Sequence, residues 1–236
     1  MAAKRILIGH LFNFNIQFAE MPVDRSDLLV SQGHEPLLDL LDRHPKVKCD
    51  LFLTGYTDLW LAQNAPGVID RIKRGVGEGR FGIGTYTYAH PVLSLLPYDG
   101  VVRQLARGLE CDGRVWGLRP RGLLLPEVAW DVTLPKAMDE LGIEWVAIYK
   151  EIVPELAVKR SYPGSAWALG AMDSRAKAVL GNRVLGKQIQ SVLRGELPAQ
   201  RVVDDIAEIL DDAEEEQLIL LKQDAEVLYF MSMPWY

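Results

Sequence analysis

Short, almost wholly apolar runs alternate along the chain with longer stretches in which apolar residues recur every third or fourth position. The runs occupy 5–9, 49–53, 81–85, 122–126, 145–148 and 218–221, with 166–171 as a less regular one between the last two. They are too short for helices, and continuous hydrophobicity marks parallel strands covered on both faces. The stretches between them predict helices over 35–43, 56–63, 68–76, 100–109 and 199–212, and a short one from Thr133 to Gly142. Pro36 and Pro135 stand in first turns, where a missing N–H costs nothing, while Asp99 and Thr133 are expected caps and Gly142 a left-handed stop. Two segments fit neither period: 11–33 reads as a long loop mixing aromatics and amides, and 173–195 as a basic, weakly periodic, mobile segment beside a cleft. Seven strands alternating with helices predict an α/β fold, a seven-stranded parallel (β/α)7 barrel with surrounding helices, complete or incomplete.

In such folds chemistry gathers at the carboxyl ends of the strands, so the residues that close each run are the candidates. The first run ends at Gly9-His10; the third leads through Tyr86-Thr87-Tyr88-Ala89 to His90-Pro91. The fourth, Leu123-Leu124-Leu125-Pro126, stops because proline cannot donate to a ladder, and it delivers Glu127 with Trp130 and Asp131 just beyond. The last continues through Lys222-Gln223 to Asp224-Ala225-Glu226. A carboxylate at a strand end beside an apolar indole wall suits nucleophilic or acid/base work on a sugar. The same residues also fit a solvated loop glutamate beside a core tryptophan, and His90 alone fits a structural histidine bonded to backbone. The glycine-rich stretch at 75–80 follows a helix and precedes a strand, the reverse of a dinucleotide loop, and reads as a helix end and turn.

Composition narrows the classes. With 236 residues, 49% of them apolar, one core and a single domain over 1–236 are expected. The net charge of −6 comes from interspersed acids and bases, so no nucleic-acid partner is expected; the acidic stretch 211–216 reads as a solvated face. Cys49 and Cys111 have neither metal-ligand spacing nor a disulfide pattern. No signal segment or membrane span is legible, and a cytoplasmic protein is expected.

Four stations, Gly9-His10, Thr85 through His90-Pro91, Leu125-Pro126-Glu127 through Trp130, and Asp224-Ala225-Glu226, together resemble glycoside hydrolase family 57, whose members act on α-glucans through a seven-stranded β/α barrel. The resemblance implies Glu127 as nucleophile and Asp224 as general acid/base, with His10, Trp130, His90 and Asp131 binding substrate. It implies a retaining glycoside hydrolase or transglycosylase, of α-amylase or 4-α-glucanotransferase type, working on an α-glucan or oligosaccharide through a covalent glycosyl-enzyme without a cofactor. Such a pair of carboxyl groups stands roughly 5–5.5 Å apart. Lys222 lies on the same strand face as Asp224. The first station departs from the family's His-x-His-Gln-Pro, since His10 is followed by Leu11-Phe12-Asn13-Phe14. The family's C-terminal helices, which carry a fifth motif, are expected to be absent from 1–236, and self-association would cover the apolar surface they leave. The related polysaccharide deacetylases share the look of the second station, but Tyr86 stands where their first metal histidine would be and their paired aspartates after the first strand are lacking, so no metal is expected. A non-catalytic saccharide-binding or regulatory relative, and a deacetylase-like enzyme, are the alternative readings.

Overall fold

The computed structural model describes residues 5–16, 23–149, 152, 158–160, 166–169, 174–212 and 217–226. Its strands are β1 (Ile6–Phe14), β2 (Cys49–Leu53), β3 (Phe81–Thr85), β4 (Gly122–Leu124), β5 (Trp145–Tyr149), β6 (Val158–Arg160), β7 (Ala166–Leu169), β8 (Lys177–Gly181) and β9 (Gln217–Asp224). The helices are α1 (Ser26–Leu29), α2 (Glu35–Arg43), α3 (Gly55–Asn64), α4 (Pro66–Gly77), α5 (Tyr98–Trp116), α6 (Leu134–Leu141), α7 (Arg183–Leu193) and α8 (Ala199–Asp212). Strands β1, β2, β3, β4, β5, β8 and β9 pair in parallel in that order, and β9 returns to β1, closing a seven-stranded barrel. Strands β6 and β7 form an antiparallel hairpin on the free edge of β8.

Three expectations need correction. The sixth barrel strand is β8, inside the segment read as mobile, and α7 follows it; the run at 166–171 supplies the hairpin strand β7 instead, its last two residues lying outside the described set. The first strand does not stop at Gly9 but runs on to Phe14, taking the start of the expected loop into the barrel. Residues 17–22 of that loop lie outside the described set; from Val23 on it winds into α1 and a π turn over Val30–His34 that leads into the expected helix α2. Asp99 sits inside the first turn of α5 with Pro97 at its cap, and Thr133 caps α6 by position only.

Side-chain alternation sorts each strand into an inner and an outer face. Leu11, Phe52, Tyr86, Leu124, Ala147 and Leu220 fill the lumen, with Trp145 and Val179 against them. Outside, β1 to β3 pack on α2, α3 and α4, β4, β5 and β8 on α5 and α6, and β9 on α7 and α8. The lumen holds two large rings because its neighbouring strands offer glycines: a Cβ on Gly84 would lie 2.1 Å from Phe52, and one on Gly122 would lie 2.2 Å from Trp145. Gly84→Ala is therefore expected to destabilise by about 1–3 kcal/mol through overpacking, read as a lower urea midpoint at unchanged slope.

Two ladders of the barrel are single register pairs, β3–β4 at Thr85 with Leu123 and β8–β9 at Gly181 with Leu220, the latter extended by the Asn182 N–H donating to the Leu220 carbonyl at 2.8 Å. Beyond Leu220 β9 is laddered to β1 and tied to α7 by the Gln223 amide, which donates to the Gly186 carbonyl at 3.0 Å. No helix among the described residues is long and apolar enough to cross a membrane.

Candidate active site

The register fixes what faces the carboxyl-terminal mouth. On β9, Lys222 and Asp224 share the inner face with Leu220. Asn13 of β1 lies across the ladder from Asp224, buried, its Oδ1 without a partner. At the end of β3 the wholly buried Tyr86 hydrogen-bonds through its hydroxyl to Nε2 of His90, 2.9 Å away. The loop carrying that histidine is tied to α5: the Tyr88 N–H donates to the Gln104 carbonyl and the Ala89 N–H to Gln104 Oε1, while Thr87 Oγ1 accepts from the His90 N–H. At the end of β4, Pro126 stops the ladder and a tight turn, closed by Val128 N–H to Leu125 O and Ala129 N–H to Pro126 O, presents Glu127 to solvent.

The electrostatics connect these pieces. Burial holds the Tyr86 proton well above its ordinary range, and the charges of Asp224, Glu127 and Glu226 push the same way. Burial lowers the pKa of His90, while Glu127 and Asp224 favour its protonated form and Lys222 opposes it. Glu127 and Asp224, almost a hundred positions apart in the chain, thus act on one Tyr86–His90 pair. Both are open to water: Glu127 is exposed, and the Asp224 side chain keeps 33% of its surface with Oδ1 3.6 Å from the Lys222 ammonium.

Backbone conformation singles out the same place. Among the described residues three non-glycines adopt left-handed φ values: His90 at 55°, Glu127 at 53° and Val128 at 52°. Each costs on the order of 1 kcal/mol or more, and a β-branched residue there is an outlier. Such strain persists where surrounding structure over-determines a side chain's direction, and it clusters at functional sites.

Of the residues singled out from sequence, the structure brings Glu127, Asp224 and His90 to one mouth. His10 is not there. Because β1 continues past it, His10 lies mid-strand on the outer face, its ring stacked on Phe12 with centroids 6.0 Å apart, while Leu11 between them points into the lumen. Burial lowers the His10 pKa. Asn13 occupies the mouth position expected of His10. Trp130 packs half-buried against the cluster beneath α5 and α6, and Asp131 braces the turn leading into α6, accepting from the Thr133 N–H at 2.8 Å and from its hydroxyl. Tyr86 and Asn13 are site residues that the sequence reading did not select. Their signal was parity, counting back by twos from Asp224 through its ladder partner and forward by twos from Gly84. Among the described residues no group of three or more His, Cys, Asp or Glu side chains is placed to share a metal ion.

Fold and mouth together define a class: a parallel seven-stranded β/α barrel with two carboxylates from distant strand ends converging on its carboxyl-terminal opening. The family model of glycosyl hydrolase family 57 matches residues 32–234, and the chain belongs to that family. An alpha-amylase of Pyrococcus abyssi is 30% identical over 117 residues, covering 50% of this chain and 18% of the relative. The crystal structure of the 4-alpha-glucanotransferase of Thermococcus litoralis matches with a TM-score of 0.74 at 18% identity, over 94% of this chain and 33% of that one. That of the GH57-type branching enzyme of Pyrococcus horikoshii matches at 0.69 and 13% identity, over 93% of this chain and 63% of that one. The chain spans about a fifth of the length of the curated relatives it matches.

Proposed function

We propose that the chain forms the catalytic barrel of a retaining glycosidase or transglycosidase acting on α-glucans, with Glu127 as nucleophile and Asp224 as general acid/base. The observation that carries this is the convergence of two solvent-accessible carboxylates on the Tyr86–His90 pair. Membership of family 57, and relatives named alpha-amylase and 4-alpha-glucanotransferase, support the substrate class.

A Glu127 oxygen attacks the anomeric carbon as the glycosidic C–O bond breaks, and the departing oxygen takes the proton of Asp224. Asp224, now a carboxylate, removes a proton from water or from an acceptor hydroxyl, whose oxygen attacks the same carbon and releases Glu127. The Tyr86–His90 hydrogen bond fixes a polar edge beside both carboxylates, and the buried Asn13 lies directly behind Asp224 on the neighbouring strand. Lys222 restrains the Asp224 side chain within the mouth. Trp130 and Asp131 serve indirectly, by packing and bracing the segment that carries Glu127. A cytoplasmic setting fits two cysteines that are buried free thiols.

One observation favours a second reading, a saccharide-binding relative without turnover: an amide, Asn13, fills the mouth position where a histidine was expected. Incubation with maltooligosaccharides of defined length separates the two. Longer and shorter products together are expected for transfer, and shortening alone for hydrolysis. Glu127→Gln is expected to stop either while retaining binding. Unchanged sugars with wild-type protein, alongside measurable binding, would remove the catalytic reading.

A further inference from the structure

Two residues past Asp224, a second carboxylate is buried entirely. Glu226 is 0% exposed, and its Oε1 accepts from the Asn15 backbone N–H and from Nε2–H of His34, 2.8 Å away. His34 is equally buried and lies against the Phe14 ring, with centroids 4.6 Å apart. It closes the π turn Val30–His34, a local widening between α1 and α2, which are otherwise one helical run from Ser26 to Arg43. A π turn shifts the side chains that follow it around the helix axis, and such turns recur at functional sites.

The need for an anchor is visible in β9. Past Leu220 its ladder continues on the β1 side, through Asn13 opposite Asp224 and the Ala225 N–H donating to the Asn13 carbonyl at 2.9 Å. On its other side the pairing with β8 has already ended at Gly181. A carboxyl group that must meet a reacting oxygen has to be held within a fraction of an ångström. The Gln223 amide on Gly186 is the tie that replaces β8 on that side, and neither it nor the ladder reaches beyond Ala225; a fixed point at Glu226 anchors the turn on the far side of Asp224.

We propose that His34 is a positioning residue for Asp224, acting through Glu226: the buried imidazole clamps the 224–226 turn between the end of β1 and the π turn, and thereby aims the acid/base carboxyl. This rests on the retaining-glycosidase reading above. The burial of Glu226 raises its carboxyl pKa, and the His34 hydrogen bond and charge, with the Asn15 N–H, oppose that rise.

The test compares His34→Leu, which keeps apolar contact with Phe14 but loses the donor, with His34→Gln, whose amide can reach Oε1, and with the shorter His34→Asn. Each is assayed on maltoheptaose, whose leaving group needs a proton, and on α-maltosyl fluoride, whose leaving group does not. For His34→Leu and His34→Asn, kcat/KM on maltoheptaose is expected to fall about 10- to 100-fold and on the fluoride by less than about 3-fold, because kcat/KM reports only steps through departure of the leaving group. His34→Gln is expected to restore most of the loss. Equal losses on both substrates in folded variants, or none, overturn the inference while leaving the glycosidase reading intact. Wild-type protein inert on both substrates overturns that reading and the inference with it. Should His34→Leu fail to fold, the His34→Asn and His34→Gln pair decides.

Discussion

Asp224→Asn is expected to lower kcat/KM on maltooligosaccharides by roughly 10²- to 10⁴-fold while leaving their binding unchanged. Asparagine preserves the volume and an oxygen for Lys222, so the substitution isolates loss of the transferable proton. Without it the departing sugar oxygen leaves as an alkoxide, which is where the rate is lost. The complementary variant, Glu127→Ala, removes the atom that forms the new bond. The two losses are told apart by azide with α-maltosyl fluoride as donor. With Asp224→Ala a glycosyl-enzyme still forms on Glu127, and azide attacks it to give the α-glycosyl azide, with retained configuration. With Glu127→Ala azide attacks the donor directly and gives the β anomer. Exchanged anomers would exchange the two roles. Full activity in Asp224→Asn, measured by product analysis, would end the proposal for this residue.

The parts of this architecture that could be read from sequence are those in which one property dominates. β2, β3, β4 and β5 are short apolar runs buried on both faces, and their bounds agree with the pattern to within a residue or two. The strand-end position of Glu127 was legible because Pro126 ends a ladder, and that of Asp224 because a carboxylate follows an apolar run. β1 and β8 were obscured by the opposite circumstance. The upper half of β1 alternates His10, Phe12 and Phe14 outward with Leu11 and Asn13 inward; at a barrel mouth the inner face turns polar, so the run reads as a mixture rather than a strand. β8 is five residues long and begins on Lys177, whereas the neighbouring 166–169 is more uniformly apolar yet pairs antiparallel at the edge. Tertiary pairing decided between them, and no local propensity contains that choice.

The strain at the mouth was hidden for a related reason. A left-handed turn is announced in sequence by glycine or asparagine, and Glu127-Val128 offers neither. The conformation is imposed from outside, by Pro126 below, the buried Leu125 and the packing of Trp130 beneath α5 and α6. A sequence that keeps two unfavourable backbone angles next to its exposed carboxylate retains stability it could have gained by substitution, which is the expected trade when side-chain direction matters. The sheltered Tyr86–His90 hydrogen bond lies on the other side of that carboxylate's reach, with His90 under the same strain.

Thermal stability is expected to fall as pH rises from about 4 to about 7, through a site unrelated to the mouth. Asp58 on α3 and Asp112 on α5 are fully buried and close enough to act on one another's charge, and Asp58 Oδ1 accepts from the Trp116 indole N–H at 3.0 Å. Burial raises both carboxyl pKa values; the charge of Asp112 raises Asp58 further, and Asp112 itself is pushed up to about 7. In the unfolded chain an aspartate releases its proton near pH 3.9. Between that value and about 7 the folded protein therefore holds a proton that the unfolded chain has lost. Stability is fully present below the lower value and declines through the window, because deprotonation is free in the unfolded state and costly between two helices. A shift of this size corresponds to a stability change on the order of a few kcal/mol, enough to move the melting temperature by several degrees in a chain of this length. Asp112→Asn keeps the shape but cannot ionise. Its melting temperature is expected to exceed wild type at pH 8, to approach wild type near pH 4, and to show a flatter profile between, followed by circular dichroism at constant ionic strength. An Asp112→Asn profile as steep as wild type across that window would show that the shared proton lies elsewhere.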